Sequence, residues 1–269
     1  MDGTLPTSDD FNHFQGLFMF STLAAVTRDR HAKKKVKPID SFAFAKGFNI
    51  ASIMVNEFAR SAAIYPVVFL EDPQSKEFRP VVLLGLENGE NLFVDAAGRW
   101  HASYVPAIIR RYPFALASSP QQGQFTICID EGSPLVQESD GAALFDDKGE
   151  PTAVIENVKQ YLGELQKMDA VTRAFCKYLQ DNGFFVPLSM RVQRADRVRN
   201  IQGCHFVDEK KLVDLPDDSF LELRRRGYLG PLYSHLGSLA QMERLMMLKD
   251  ERENGPKGAK PGPLEHEEG

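Results

Sequence analysis

The stretch from Pro80 to Phe114, PVVLLGLENGENLFVDAAGRWHASYVPAIIRRYPF, constrains the fold of this chain more than any other. Two strand-length runs, Val81 to Leu86 and Leu92 to Asp95, flank Glu87-Asn88-Gly89. A glycine-bearing turn between such runs predicts an antiparallel hairpin. Ala96-Ala97-Gly98 predicts a second turn, and Trp100, the only tryptophan, begins the segment after it. Pro106 suits the first turn of a short helix over Ala107 to Arg111, where its missing N–H costs nothing, and Pro113 stops that helix.

Upstream, Phe14 to Thr27 reads as an extended segment. Arg28 to Lys37 (RDRHAKKKVK) is the densest basic run, a solvated loop or else a patch for anions. Ser41 to Phe48 sets Phe42, Phe44 and Phe48 among small or polar residues, as in a strand edge or an aromatic-rich loop. Asn49 can cap a helix from Ile50 to Ala63 with Ile50, Ile53, Met54 and Phe58 as its stripe, and Tyr65-Pro66 ends it. Val67 to Leu70 reads as a buried strand, Glu71 to Arg79 as a polar loop, and Phe125 to Asp130 and Ala142 to Phe145 as further strands.

The second half turns helical. Pro151 opens a helix whose apolar residues recur at three- and four-residue steps from Val154 to Leu165; Asp169 caps another that Gly183 stops. Phe184 to Val192 and Ile201 to Val207 read as strands joined by a basic connector, Arg191 to Arg199. Asp217-Asp218-Ser219 starts a short helix, and a last one runs from Pro231 to Asp250. Strands early and helices late argue for an α+β fold: an antiparallel or mixed sheet with helices packed on it and a helical C-terminal part. We expect a flexible lead over residues 1–13, a single domain over 14–250 and a disordered tail over 251–269.

With 269 residues, 43% of them hydrophobic, the chain can bury a substantial core. Its formal net charge of -5 argues against nucleic acid as a partner. Three widely spaced cysteines, Cys128, Cys176 and Cys204, fit a reduced compartment better than a disulfide framework, and they form no zinc pattern. The start, MDGTLPTSDD, lacks a basic and an apolar region, and no segment offers the roughly 20 apolar residues of a membrane span. We expect a cytoplasmic protein with no transmembrane segment. No phosphate-cradling glycine loop points to a cofactor, and no cofactor or metal is expected.

Arg110 and Arg111, close in sequence to Trp100, Tyr104 and Tyr112, are candidates for binding a carboxylate or phosphate, because guanidinium forks grip such groups and stack on rings. Adjacent residues on a helix point about 100° apart, so the two arginines do not clamp one ligand. The alternative is that one arginine pairs with an internal acid such as Asp95 or Asp130 while the other meets water. The carboxylate pairs Asp130-Glu131 and Asp146-Asp147 lie where strands end in turns, the ordinary home of acids, although acid–base and metal chemistry also use such pairs. Cys204 and His205 are strand neighbours that face opposite ways, and neither G-x-S-x-G nor H-E-x-x-H occurs. His235, between Leu232 and Leu239 on the apolar face of the last helix, reads first as a buried, hydrogen-bonded histidine and second as a base.

Read together, YPVVF (Tyr65 to Phe69), PVVLLGLENGENLFVD (Pro80 to Asp95), GRW (Gly98 to Trp100), YVPAIIRRYPF (Tyr104 to Phe114), Ile129-Asp130, Leu144-Phe145, GEPT (Gly149 to Thr152), VDEKKL (Val207 to Leu212) and LYSHLGSL (Leu232 to Leu239) resemble the bacterial SapC family. The match is collinear over most of residues 40 to 245. The resemblance implies an association with surface-layer gene clusters. In proteobacteria it also implies neighbouring genes for TonB-dependent receptors and tryptophan-halogenase-like proteins. It brings no catalytic mechanism. The peptide-transporter permease that shares the label does not fit, because the chain has no apolar span.

Two functions follow as expectations. The first is an accessory or binding protein that recognises a partner protein or a small anionic or peptidic ligand through Trp100, Tyr104, Arg110, Arg111 and Tyr112, linked to outer-membrane nutrient uptake or surface-layer systems. The second is an enzyme, or a subunit of one, acting with a modifying enzyme on a peptide or amino-acid-derived substrate, with Asp95, Asp130, His235 and the arginines as its site. A structural role at the cell surface would need export, for which the sequence carries no signal.

Overall fold

Val67, Val68 and Phe69 are fully buried, and a run that is apolar on both faces makes a strand covered on both sides. The computed structural model describes residues 19–118, 125–194 and 197–255, with 189–194 and 197–202 described by their backbone alone. It places these three residues in β4 (Val67–Glu71), the middle of a five-stranded sheet. The sheet runs β10 (Phe185–Arg194), β11 (Arg197–Val207), β4, β5 (Phe78–Leu83), β3 (Ile50–Ser52), every pair antiparallel. Between β4 and β5 the chain turns on Asp72, whose side chain accepts from the N–H groups of Gln74 and Ser75 at 2.9 and 2.7 Å.

A second sheet orders β1 (Leu23–Ala25), β7 (Phe125–Asp130) and β6 (Phe114–Ser118), and a third sets β2 (Lys35–Val36) between β8 (Val136–Gln137) and β9 (Ala142–Ala143). One helix of 29 residues, α4 (Ala153–Asp181), joins the two halves of the molecule. Its first half buries Ile155 and Leu162 with Phe114, Ile129 and Leu144; its second half buries Phe175, Cys176 and Leu179 with Phe58, Phe69 and Val82. Thr152 caps its start, and Gly183 (φ 63) ends it with the paired bonds of a left-handed C-cap, Gly183 N–H to Gln180 C=O and Phe184 N–H to Leu179 C=O. The remaining helices are α1 (Arg28–His31), α2 (Phe58–Ala62), α3 (Ala107–Arg110), α5 (Glu209–Val213), α6 (Asp217–Arg225), α7 (Leu229–Ser238) and α8 (Gln241–Asn254). The fold is α+β, with antiparallel sheets and a helical C-terminal part.

Several local expectations are corrected. The helix expected over Ile50 to Ala63 is β3, a 3₁₀ turn (Val55–Glu57) and the short α2, because Ile50, Ala51 and Ser52 gain a ladder with Leu83, Val82 and Val81. The expected hairpin after Val81 does not form a ladder. Glu90 folds back instead, its Oε1 accepting from the N–H groups of Leu86 and Glu87, and the segment that follows keeps one bridge, Val94 with Trp100. Asp169 starts no helix. It lies inside α4 and pairs with Arg79 and Arg173 at 3.1 and 2.8 Å. The last helix is two, α7 and α8, and α8 continues to Asn254. Most of the connector from Arg191 to Arg199 belongs to β10 and β11. The basic run carries α1 and β2 rather than a loop. The lead over 1–13 and most of the tail lie outside the described residues.

Candidate functional site

The short α3 is the hub. Ala107, Ile108 and Ile109 are buried, so the two arginines that follow must leave the core in different directions. On one side, the Arg110 guanidinium lies over two rings, 5.6 Å from the centre of Tyr104 and 5.9 Å from that of Tyr161. Its Nε donates to the carbonyl of Val105 at 3.0 Å. Arg110 is exposed, and among the described residues no carboxylate lies within 4.0 Å of its guanidinium nitrogens.

Both rings are fixed by their hydroxyls. Tyr161 donates to Ala107 C=O at 3.0 Å, and Tyr104 donates to Glu57 Oε1 at 2.6 Å. Glu57 is buried and also accepts from the N–H groups of Met54 (2.9 Å) and Ala107 (2.8 Å). Burial first, and Glu57 second, push the Tyr104 hydroxyl up to about 12, with Arg110 opposing. Trp100 joins through Tyr65: the indole N–H donates to the Tyr65 hydroxyl at 2.9 Å, and that hydroxyl donates to Tyr104 C=O. Burial raises the Tyr65 pKa far above its ordinary value, so this hydroxyl stays a donor. Trp100 also meets Phe42 edge-on, at 5.5 Å between ring centres. The turn that brings them together needs Gly98 (φ 83): a Cβ there would lie 2.1 Å from Ser41 Oγ, and the Gly98 carbonyl accepts from Phe42 N–H.

On the other side of α3, Arg111 has its guanidinium 5.4 Å from the centre of the Phe20 ring, and burial pushes its pKa down to about 10. Tyr112 is stacked on Phe44, 4.0 Å between ring centres, with its hydroxyl 3.5 Å from Asp130. Asp130 is 1% exposed and accepts from Ser21 N–H and Oγ–H, Thr22 N–H and Gly132 N–H at 2.7 to 3.2 Å. Its oxygens tie β1 to the end of β7.

The other two candidates stand elsewhere. Asp95 lies on the surface loop, where His101 Nε2 and Arg99 Nε each meet Oδ2 at 2.8 Å. The His101 contact, more than any other, holds its carboxyl well below the usual range. His235 is fully buried between strands: its Nδ1 donates to Val67 C=O at 2.8 Å and its Nε2 accepts from Val207 N–H at 3.0 Å. Among the described residues β4 and β11 pair at Phe69 and His205, and the imidazole bridges the two strands from Val67 to Val207. Burial pushes its pKa down to about 4. None of its hydrogen bonds or ring contacts reaches the α3 groups.

The basic run is already engaged. Arg30 forks Glu131 at 2.6 Å through both nitrogens, Lys34 meets Glu138 at 2.9 Å, and Lys37 meets Asp140 at 3.0 Å. Burial pushes the thiols of Cys128 and Cys204 up to about 11 and that of Cys176 up to about 12, the opposite of what a nucleophile needs. Among the described residues no group of three or more His, Cys, Asp or Glu could hold a metal ion, and no helix is long and apolar enough to cross a membrane.

Two strings that build this arrangement, YPVVF and YVPAIIRRYPF, fall inside a match to the SapC family model that spans residues 26–245, most of the chain. The chain belongs to the SapC family. Searches of curated proteins and of solved structures return no match. Of the residues proposed from sequence, the structure brings Trp100, Tyr104 and Arg110 into one network and Arg111, Tyr112 and Asp130 into another. Three members of the first network escaped the sequence reading: Glu57, Tyr65 and Tyr161. Glu57 had a signal, as the one acid between Ile50 and Ala63. Tyr161 fell within an apolar helical stripe and gave none.

Proposed function

We propose that this SapC family member is an accessory or binding protein that works in the cytoplasm and recognises an anionic group, on a partner protein or a small peptidic ligand, at Arg110. One observation carries the reading: an exposed guanidinium that lies over two anchored tyrosine rings, with no carboxylate within 4.0 Å of its nitrogens among the described residues. The other two arginines nearest to it in sequence are placed differently. Arg99 pairs with Asp95, and Arg111 lies over the Phe20 ring. Two rings whose hydroxyls are anchored lie beside the guanidinium and restrict its side chain, which lowers the entropic cost of gripping an anion.

The test is an NMR titration of the isotope-labelled full chain with acetate, phosphate and sulfate, following arginine side-chain signals. A saturable shift at Arg110, Tyr104 and Tyr161 that disappears in Arg110→Ala supports the reading. Shifts spread evenly over the exposed arginines, or none at all, reject it.

A further inference from the structure

Resting on that reading, we infer that Arg110 takes a single carboxylate, as presented by a peptide C-terminus or an acidic side chain, in preference to a phosphate dianion. The Nε of Arg110 is committed to Val105 C=O, so the guanidinium meets a ligand with its terminal nitrogens, an edge that fits the two oxygens of one planar carboxylate. The Tyr104 and Tyr161 rings lie beside that group, 5.6 and 5.9 Å from it. A tetrahedral phosphate gains most from several donors arranged around it, and the two neighbours bring none, since the Tyr104 and Tyr161 hydroxyls already donate to Glu57 and Ala107 C=O.

Charge points the same way. Glu57 sits behind Tyr104, and among the described residues no cation lies within 4.0 Å of its carboxyl. Arg111, the next residue along, lies over the Phe20 ring, 5.4 Å from its centre, and not over the two rings beside Arg110. One guanidinium balances one carboxylate, while a dianion leaves a charge uncompensated beside Glu57.

The chain carries its own reporter. Trp100 is the only tryptophan, and it is hydrogen-bonded through Tyr65 to the Tyr104 backbone, whose ring is one wall of the site. The experiment titrates the full chain with three probes, followed by tryptophan fluorescence and by calorimetry. They are N-acetyl-trialanine with a free carboxylate, the same peptide as its C-terminal amide, and that amide with phosphoserine at the middle position. The free acid is expected to bind saturably and about tenfold or more tighter than the phosphopeptide, the amide to give no saturable heat, and Arg110→Gln to abolish binding with an unchanged circular dichroism spectrum. Equal or tighter binding of the phosphopeptide overturns the carboxylate preference and leaves anion recognition standing. Saturable binding of none of the three, or undiminished binding by Arg110→Gln, overturns both.

Discussion

Arg110 and Arg111 are neighbours with opposite fates. On the Arg111 side, Tyr112 stacks into a core and Asp130 is saturated by donors from Ser21, Thr22 and Gly132. On the Arg110 side, the internal acid Glu57 is filled by Tyr104, Met54 and Ala107, and the guanidinium stays at the surface. Residue type is nearly the same on both sides: a carboxyl, tyrosines and an arginine. What differs is whether the backbone closes over them. Asp130 and Glu57 are both satisfied by protein donors, as buried carboxyls must be, whereas Arg110 is held in place with no carboxylate within 4.0 Å among the described residues.

Either side of α3 can be perturbed by itself. The largest effect is expected at Asp130→Ala, which leaves the N–H groups of Ser21, Thr22 and Gly132 without their acceptor. We expect a loss of about 4 kcal/mol in denaturant unfolding, with the anion response at Arg110 retained in whatever fraction stays folded. Loss of that response in the folded protein would show that the two sides are not separate.

Next comes His235, which stands for the closed kind of site. Its folded pKa of about 4 lies below the ordinary histidine value, so between about pH 6.5 and 4 the unfolded chain takes up a proton that the folded chain refuses. Stability therefore falls as pH drops through that window, by about 3 kcal/mol in all. His235→Gln, whose amide offers a donor and an acceptor, should flatten that dependence in unfolding curves taken across the window. A slope unchanged by the substitution would mean that the imidazole is not the titrating group. A smaller effect, about 1 kcal/mol, is expected for Trp100→Phe, which removes one hydrogen bond to Tyr65 and keeps the edge-on contact with Phe42. A loss several times larger would give Trp100 a deeper role in the core than its contacts suggest.

Much of the architecture was legible in the chain. β7 matches its expected span, because Phe125 to Asp130 has the alternation of a strand, and the α3 boundaries follow from Pro106 and Pro113. The errors share a cause: local signals lost to pairing partners far along the sequence. Ile50 to Ser52 has helical spacing yet is claimed by β5, and Asp169 looks like a cap but has Arg79 to bind. The candidate network was half legible. Trp100, Tyr104 and Arg110 stood in one conspicuous string, whereas Glu57 and Tyr161 reach them from 47 and 51 residues away in sequence, a proximity no local pattern encodes.

The difference between the two arginines is tested most directly by measuring Arg110→Ala and Arg111→Ala side by side, for unfolding in denaturant and for the NMR response to acetate. Arg110→Ala is expected to unfold within about 0.5 kcal/mol of the parent and to lose the response; Arg111→Ala is expected to be about 2 kcal/mol less stable and to keep it. The reverse pattern would make Arg110 the structural residue and Arg111 the anion site.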